Sequence, residues 1–137
     1  MRSADALWSW TARSMALGSL YDAGFGLAIL FFAEPASALL KIPLPPDRLY
    51  FRFIGVFALL LASLYVLPVI EPRRYRGVVA VAAGGRFAGF LYMAWAWTQG
   101  APGTFLYLAY ADLAFAGAHA FLLISAEAAD AAAGGRH

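Results

Sequence analysis

The sequence contains no cysteine. That absence excludes a disulfide framework, a thiolate nucleophile, a Cys-ligated metal and covalent haem attachment. Charge is scarce too. Only 13% of the 137 residues are Asp, Glu, Lys or Arg, where soluble domains carry about 25%. The net charge is +2 and the arginines are scattered, so there is no basic stripe for a nucleic-acid partner. Polar, aromatic-poor stretches of the kind that stay disordered are also lacking. What the chain has instead is apolar surface: 63% of its residues are hydrophobic and 16% aromatic. A water-soluble domain of this size leaves roughly a third of its surface in water, too much to hide that load. The composition points to an integral membrane protein of one domain, with the lipid bilayer as its first partner.

A spanning helix needs about 20 mostly apolar residues to cross a ~30 Å hydrocarbon core. Four segments qualify: 14–32, 49–70, 77–97 and 104–125. Glu34-Pro35 ends the first, Glu71-Pro72 the second, and Gly100-Ala101-Pro102-Gly103 separates the last two. No segment alternates apolar and polar residues as a barrel strand must, which leaves helices to satisfy the backbone in lipid. The predicted fold is therefore all-α, an antiparallel bundle of four membrane helices spanning 14–125. It is flanked by an interfacial segment over 1–13 and a flexible tail over 126–137. The first run is longer than a signal-peptide core and carries Asp22 at its centre, so it reads as a retained helix. Between the first two spans, residues 34–48 predict a short surface or re-entrant helix followed by an extended return through Pro43, Pro45 and Pro46. Trp8, Trp10, Trp95 and Trp97 read as interfacial anchors.

Basic residues set the expected orientation. Arg2, Arg13, Arg73, Arg74, Arg76 and Arg136 fall on one side; Lys41, Arg48 and the nearby Arg52 fall on the other. The imbalance predicts both termini in the cytoplasm of a multi-pass protein of the cell inner membrane.

The chemistry sits in the ionisable residues at membrane depth: Asp22, Arg86, Asp112 and His119. A central Asp or Arg costs about 2.5–3.5 kcal/mol on insertion scales, so such groups turn inward and find partners. At 1.5 Å per residue, Asp22 lies ~12 Å and Arg86 ~14 Å from the cytoplasmic side, with His119 at ~9 Å and Asp112 at ~20 Å. An extended guanidinium reaches across those differences. The faces agree with the depths. Residues three, four and seven apart share a helix face, and Asp22 shares its face with Gly18, Ser19 and Gly26. Arg86 shares its own with Ala82, Ala83 and Gly89, and Asp112 with Ala109, Ala116 and His119. Small residues let membrane helices approach closely, so the charged faces are also the packing faces.

Two readings fit this cluster. In the structural one, Arg86 bridges Asp22 and Asp112 to specify the fold, with His119 as a neutral hydrogen-bond partner. In the functional one, the four line a polar pocket for a ligand, a quinone head group or a proton. Glu34 and Arg52 are expected to pair at the outer boundary. Gly85 to Gly89 carries a small-residue pattern for a helix contact within the chain, and Tyr21, Tyr65, Tyr92, Tyr107 and Tyr110 are candidates to line a cavity. Asp22, Asp112 and His119 hold metal-ligand chemistry, but Arg86 beside them argues against a metal, and no Ser-His-Asp set can be assembled.

Pro35, Leu39-Leu40, the Pro-rich return and Tyr50-Phe51-Arg52-Phe53-Ile54-Gly55 form a recognisable pattern. With Glu71-Pro72-Arg73-Arg74-Tyr75, Gly84-Gly85-Arg86 and Asp112, the sequence over about residues 15–125 resembles the DoxX-like group of small four-helix bacterial membrane proteins. The resemblance implies a polar core carried by Arg52, Gly55, Arg86 and Asp112. Some members are named for quinone-linked sulfur oxidation; the lack of cysteine departs from the thiol chemistry proposed for relatives. The function expected is a noncatalytic membrane component with no resident cofactor or metal. It binds an apolar or amphiphilic molecule (lipid or quinone-like), or serves as a homo-oligomer or an accessory subunit of a larger membrane complex. The alternatives are a proton- or ion-coupled transporter and a membrane enzyme using Asp112 or His119 on a lipid-like substrate.

Overall fold

A computed structural model describes residues 4–134, and these are helical throughout apart from the connections. The elements are α1 (Ala4–Phe31), α2 (Ala33–Leu40), α3 (Arg48–Ile70), α4 (Arg76–Thr98) and α5 (Thr104–Gly134). All except α2 are long and apolar enough to cross a membrane. On α1 the buried positions Trp8, Thr11, Met15, Gly18, Asp22, Gly26 and Ile29 recur every three or four residues, one stripe of a helix. Leu17, Leu20, Leu27 and Phe31 stand exposed on the remaining surface. The other long helices likewise bury one stripe, in which Gly55, Ala62, Ala82, Ala109 and Ala116 alternate with larger side chains such as Tyr65, Arg86 and His119, and they turn most of their Leu, Ile and Phe outward. In water so much exposed apolar surface would drive aggregation; in hydrocarbon it is the solvated face. The protein is a small multi-pass membrane protein.

The connection between α1 and α3 follows its sequence closely. Pro35 occupies the first turn of α2, where a missing N–H leaves no bond unmade. Lys41 ends the helix in the left-handed region at φ 53°, its N–H donating to the Ser37 carbonyl. The Pro-rich return then leads to Asp47, whose Oδ1 accepts from the Leu49 N–H at 2.8 Å and caps α3.

Helix α1 packs on α3 and α5, and α4 packs on α5, whereas α3 and α4 touch only sparsely. The α1–α3 crossing is set by glycine. A Cβ built on Gly26 would lie 2.8 Å from the Gly55 carbonyl oxygen, and one on Gly55 would lie 3.0 Å from that of Gly26. Only hydrogen fits between these backbones. Ser19 adds a hydrogen bond across the same interface, donating to the Ala62 carbonyl at 2.8 Å.

Helix α1 starts early in the described chain and α5 ends late in it. Residues 4–13 are the first turns of α1, and the last helix continues past Ser125 to Gly134. The reason is packing. Trp8 is 4% exposed, in a core cluster with Met15, Tyr65, Val79, Leu123 and Ala126, so both extensions bury apolar surface. At 28 and 31 residues, α1 and α5 reach ~42 and ~46 Å, well beyond the hydrocarbon. Arg2 and Arg136, counted for orientation, lie outside the described residues, as do positions 135–137 of the tail.

Candidate functional site

The centre of the bundle is built around one guanidinium. Val79, Ala82 and Arg86 make the buried face of α4, so Arg86 points inward from a helix that exposes Phe87 and Leu91. The first two are small enough for α4 to lie close to its neighbours, and Arg86 then reaches past them to α1. Its Nη2 donates to Asp22 Oδ1 at 2.7 Å and to the Gly18 carbonyl at 3.4 Å, while Nη1 donates to Asp112 Oδ1 at 2.7 Å. Charge-assisted bonds of this length are about twice as strong as neutral ones. Arg86 is 7% exposed and Asp22 8%. Three aromatic rings complete the box: the guanidinium carbon lies 5.1 Å from the Tyr21 centroid, 5.0 Å from Phe115 and 6.0 Å from Tyr65. Arg86 Nε is buried with no hydrogen-bond partner.

Glycine shapes this site as well. A Cβ on Gly89 would stand 2.6 Å from Asp112 Oδ2, so the carboxylate nests where α4 has no side chain. Gly85, the other end of that small-residue pattern, has open space beside it.

His119 is fully buried on the same face of α5, but its hydrogen bond goes elsewhere. Its Nδ1 pairs with Ser14 Oγ at 2.8 Å, and its Nε2 is buried without a partner. A Cβ on Gly18 would lie 3.2 Å from that Nε2, so Gly18 gives the ring its room. Asp22, Arg86 and Asp112 thus come together as one ion cluster, and His119 sits alongside, tied to Ser14. Ser14 was not singled out from the sequence. Its spacing of four from Gly18 and eight from Asp22 places it on their stripe, which was the available signal.

Between α3 and α4, where those helices part, lies a cavity of about 360 Å³. Ile54, Phe57, Ala58, Leu61 and Leu64 of α3 and Val78, Val81 and Met93 of α4 form its apolar walls. Tyr21, Tyr65, Asp22, Arg86 and Asp112 line it too and are its polar groups. Its volume lies in the ~300–1,000 Å³ range of small-molecule sites. Of the five candidate tyrosines, Tyr21 and Tyr65 reach the cavity; Tyr92, Tyr107 and Tyr110 are exposed on the outside. Ser14 and His119 are not among the lining residues. Among the described residues, no three His, Asp or Glu converge as a metal-binding group.

The expected Glu34–Arg52 pair is replaced by Glu34–Arg48, a direct ion pair between α2 and the first residue of α3. The left-handed cap at Lys41 and the return to Asp47 bring Arg48 to the α2 carboxylate first; Arg52, one turn on and exposed, acts on Glu34 only through its field. A hydrogen bond from its own backbone N–H, followed by the Arg48 guanidinium, holds the Glu34 carboxyl below the usual carboxylate range.

At the opposite end, three distant segments meet on Arg73. Its Nη2 donates to Asp5 Oδ1 at 2.8 Å and to Asp130 Oδ1 at 3.1 Å, its Nε to Asp130 Oδ2 at 3.2 Å. Trp8 Nε1 donates to the same Asp130 Oδ2 at 2.7 Å. Asp130 and then Asp5 raise the Arg73 pKa above its ordinary value by hydrogen bonding to the charged form. Trp8, expected as an interfacial anchor, is instead an internal clasp, while Trp10, Trp95 and Trp97 are exposed.

Comparison of the chain with protein-family models, with curated proteins and with solved structures gave no match.

Proposed function

We propose that this is a noncatalytic membrane protein that takes an apolar or amphiphilic small molecule, lipid-like or quinone-like, into the cavity between α3 and α4. The observation that carries this reading is the cavity itself: hydrocarbon walls where two membrane helices part, and a charged, aromatic-boxed cluster among its lining. A molecule dissolved in the bilayer enters such a site sideways, leaves its chain among Ile54, Phe57 and Leu61, and sets its head by Tyr21 and Tyr65. Among the described residues no Ser, Thr, Lys or His joins these groups in the cavity lining, which favours binding over catalysis.

Mass spectrometry of gently extracted protein tests the reading. A discrete amphiphile at about one per chain is expected, and it should be lost in Ala58→Trp, which fills the wall. Bulk phospholipid alone, unchanged by that substitution, would favour an accessory or scaffolding role. A proton- or ion-coupled transporter is the second reading, favoured by two carboxylates that line the cavity. Liposome flux unaffected by Asp22→Asn and Asp112→Asn would remove it.

Topology and family belong to the same proposal. Both termini are placed in the cytoplasm of a bacterial inner membrane on the strength of Arg73, Arg74 and Arg76, which makes the bundle antiparallel. Because the chain has no cysteine, single introduced cysteines test this cleanly. Gln99→Cys should react with an impermeant maleimide in intact cells and Arg74→Cys only after permeabilisation. The likeness to the DoxX-like group stays part of this proposal; of the four positions it implies, Gly55 lies at the helix crossing, Arg86 and Asp112 lie in the ion cluster, and Arg52 lies apart from both.

A further inference from the structure

The ion cluster does not balance. One guanidinium faces two carboxyl groups, so with both ionised Asp22, Arg86 and Asp112 together carry one surplus negative charge. Each carboxylate gives its Oδ1 to Arg86, and neither Oδ2 accepts a hydrogen bond among the described residues. Both carboxylates line the cavity, although Asp22 is more than nine-tenths buried. His119 adds no compensation from α5, because its buried ring is turned to Ser14 and stays outside the lining. Among the described residues no other Lys or Arg reaches the cavity. An uncompensated charge in a low-dielectric interior is costly, and proteins neutralise it with a partner or a proton.

The walls favour one kind of partner. Tyr21, Phe25, Phe57 and Tyr65 line the same space, Tyr21 and Tyr65 also lying against Arg86; aromatic rings such as Phe25 and Phe57 attract cations while the apolar remainder accepts hydrocarbon. An anionic head would meet two carboxylates with the Arg86 guanidinium already committed to them. A neutral head would leave the surplus charge standing. We infer that the cavity selects lipophilic cations, an apolar body carrying an ammonium-type head, over neutral or anionic amphiphiles of the same size. The inference rests on the cavity being a ligand site, as proposed above, and specifies the chemistry of the ligand's head.

The test uses the full chain in phosphatidylcholine nanodiscs, with empty nanodiscs as background and three radiolabelled probes of matched chain: dodecyltrimethylammonium, dodecanol and dodecyl sulfate. The ammonium probe should saturate at about one per chain, at least about tenfold tighter than dodecanol, with no saturable sulfate binding. Asp22→Asn and Asp112→Asn should each weaken the ammonium probe about tenfold and leave dodecanol unchanged. Ala58→Trp, which leaves every ionic group in place, should abolish binding of both. Equal affinity for the three heads in the wild-type chain, as when a proton already neutralises one carboxyl, overturns the charge selection while the cavity reading stands. Tighter sulfate binding overturns it too. If neither dodecanol nor the ammonium probe saturates, the cavity reading itself falls. The head-group comparison needs no variant, so misfolding of a substituted chain cannot blur it.

Discussion

Replacing Arg86 by leucine removes the one cation that two buried carboxylates share. The side chains of Arg86, Asp22 and Asp112 are 7%, 12% and 14% exposed, so water can do little to make up the loss. Removing one partner of a buried pair costs about 3–5 kcal/mol, chiefly because the survivor stays charged and unpaired. Here two survivors remain, which puts Arg86→Leu at the upper end; protonation of the carboxyls limits the loss. The same physics gives a sharper expectation for the triple variant Asp22→Leu, Arg86→Leu, Asp112→Leu. Apolar replacement of an entire buried ion cluster is often neutral or stabilising by about 1–4 kcal/mol, and these leucines would face an apolar environment. Stability should therefore fall with the single change and return with the triple one. Reversible unfolding in mixed micelles, followed by tryptophan fluorescence, measures both, since Trp8 sits in the core. A single variant within about 1 kcal/mol of wild type would refute the reasoning. So would a triple variant as unstable as the single one.

Three further outcomes follow from particular contacts. Gly55→Val puts a side chain against the Gly26 carbonyl, where a Cβ has 3.0 Å; backbone must move, and a loss of about 1–3 kcal/mol in the same unfolding assay is expected. Gly24→Ala, with open space at its Cβ, is the control and should change stability little. Trp8→Phe keeps the ring but deletes the bond from Nε1 to Asp130, costing about 1 kcal/mol because Arg73 still holds that carboxylate. Glu34, with its carboxyl pKa lowered in the folded protein, contributes stability that is fully present above the unfolded carboxylate value of about 4.3 and is lost as pH falls through the lower folded value. An NMR titration of the Glu34 side chain should find its midpoint below about 4.3, and a midpoint at or above that would break the Arg48 pairing.

The parts legible in the sequence were those that the bilayer makes expensive to misplace. Four long apolar runs have no use but to be helices in lipid, and Asp22, Arg86 and Asp112 have no cheap position except facing one another. Residues whose partners were decided by local geometry were harder to read. Arg48 and Arg52 are one helical turn apart with the same charge, and only the chain's path through Lys41 and Asp47 brings Arg48 to Glu34. Ser14 is a small hydroxyl with many plausible neighbours, and its bond to His119 depends on how α1 and α5 are rotated. The clasp of Trp8, Arg73 and Asp130 was hidden for another reason. It needs α1 and α5 to run on as helix past the hydrocarbon, where hydropathy carries no signal and the alanine-rich ends look free to fray. The cavity was foreshadowed only by its tyrosines, because the parting of α3 from α4 is a property of packing.

The most direct test is a solid-state NMR measurement in lipid bilayers on protein labelled at arginine side-chain nitrogen and aspartate carboxyl carbon. Strong dipolar transfer from the Arg86 guanidinium to both Asp22 and Asp112 is expected, matching N···O separations of 2.7 Å. Transfer to neither carboxyl, with all three side chains in contact with acyl-chain protons, would contradict an ion cluster held inside the bundle.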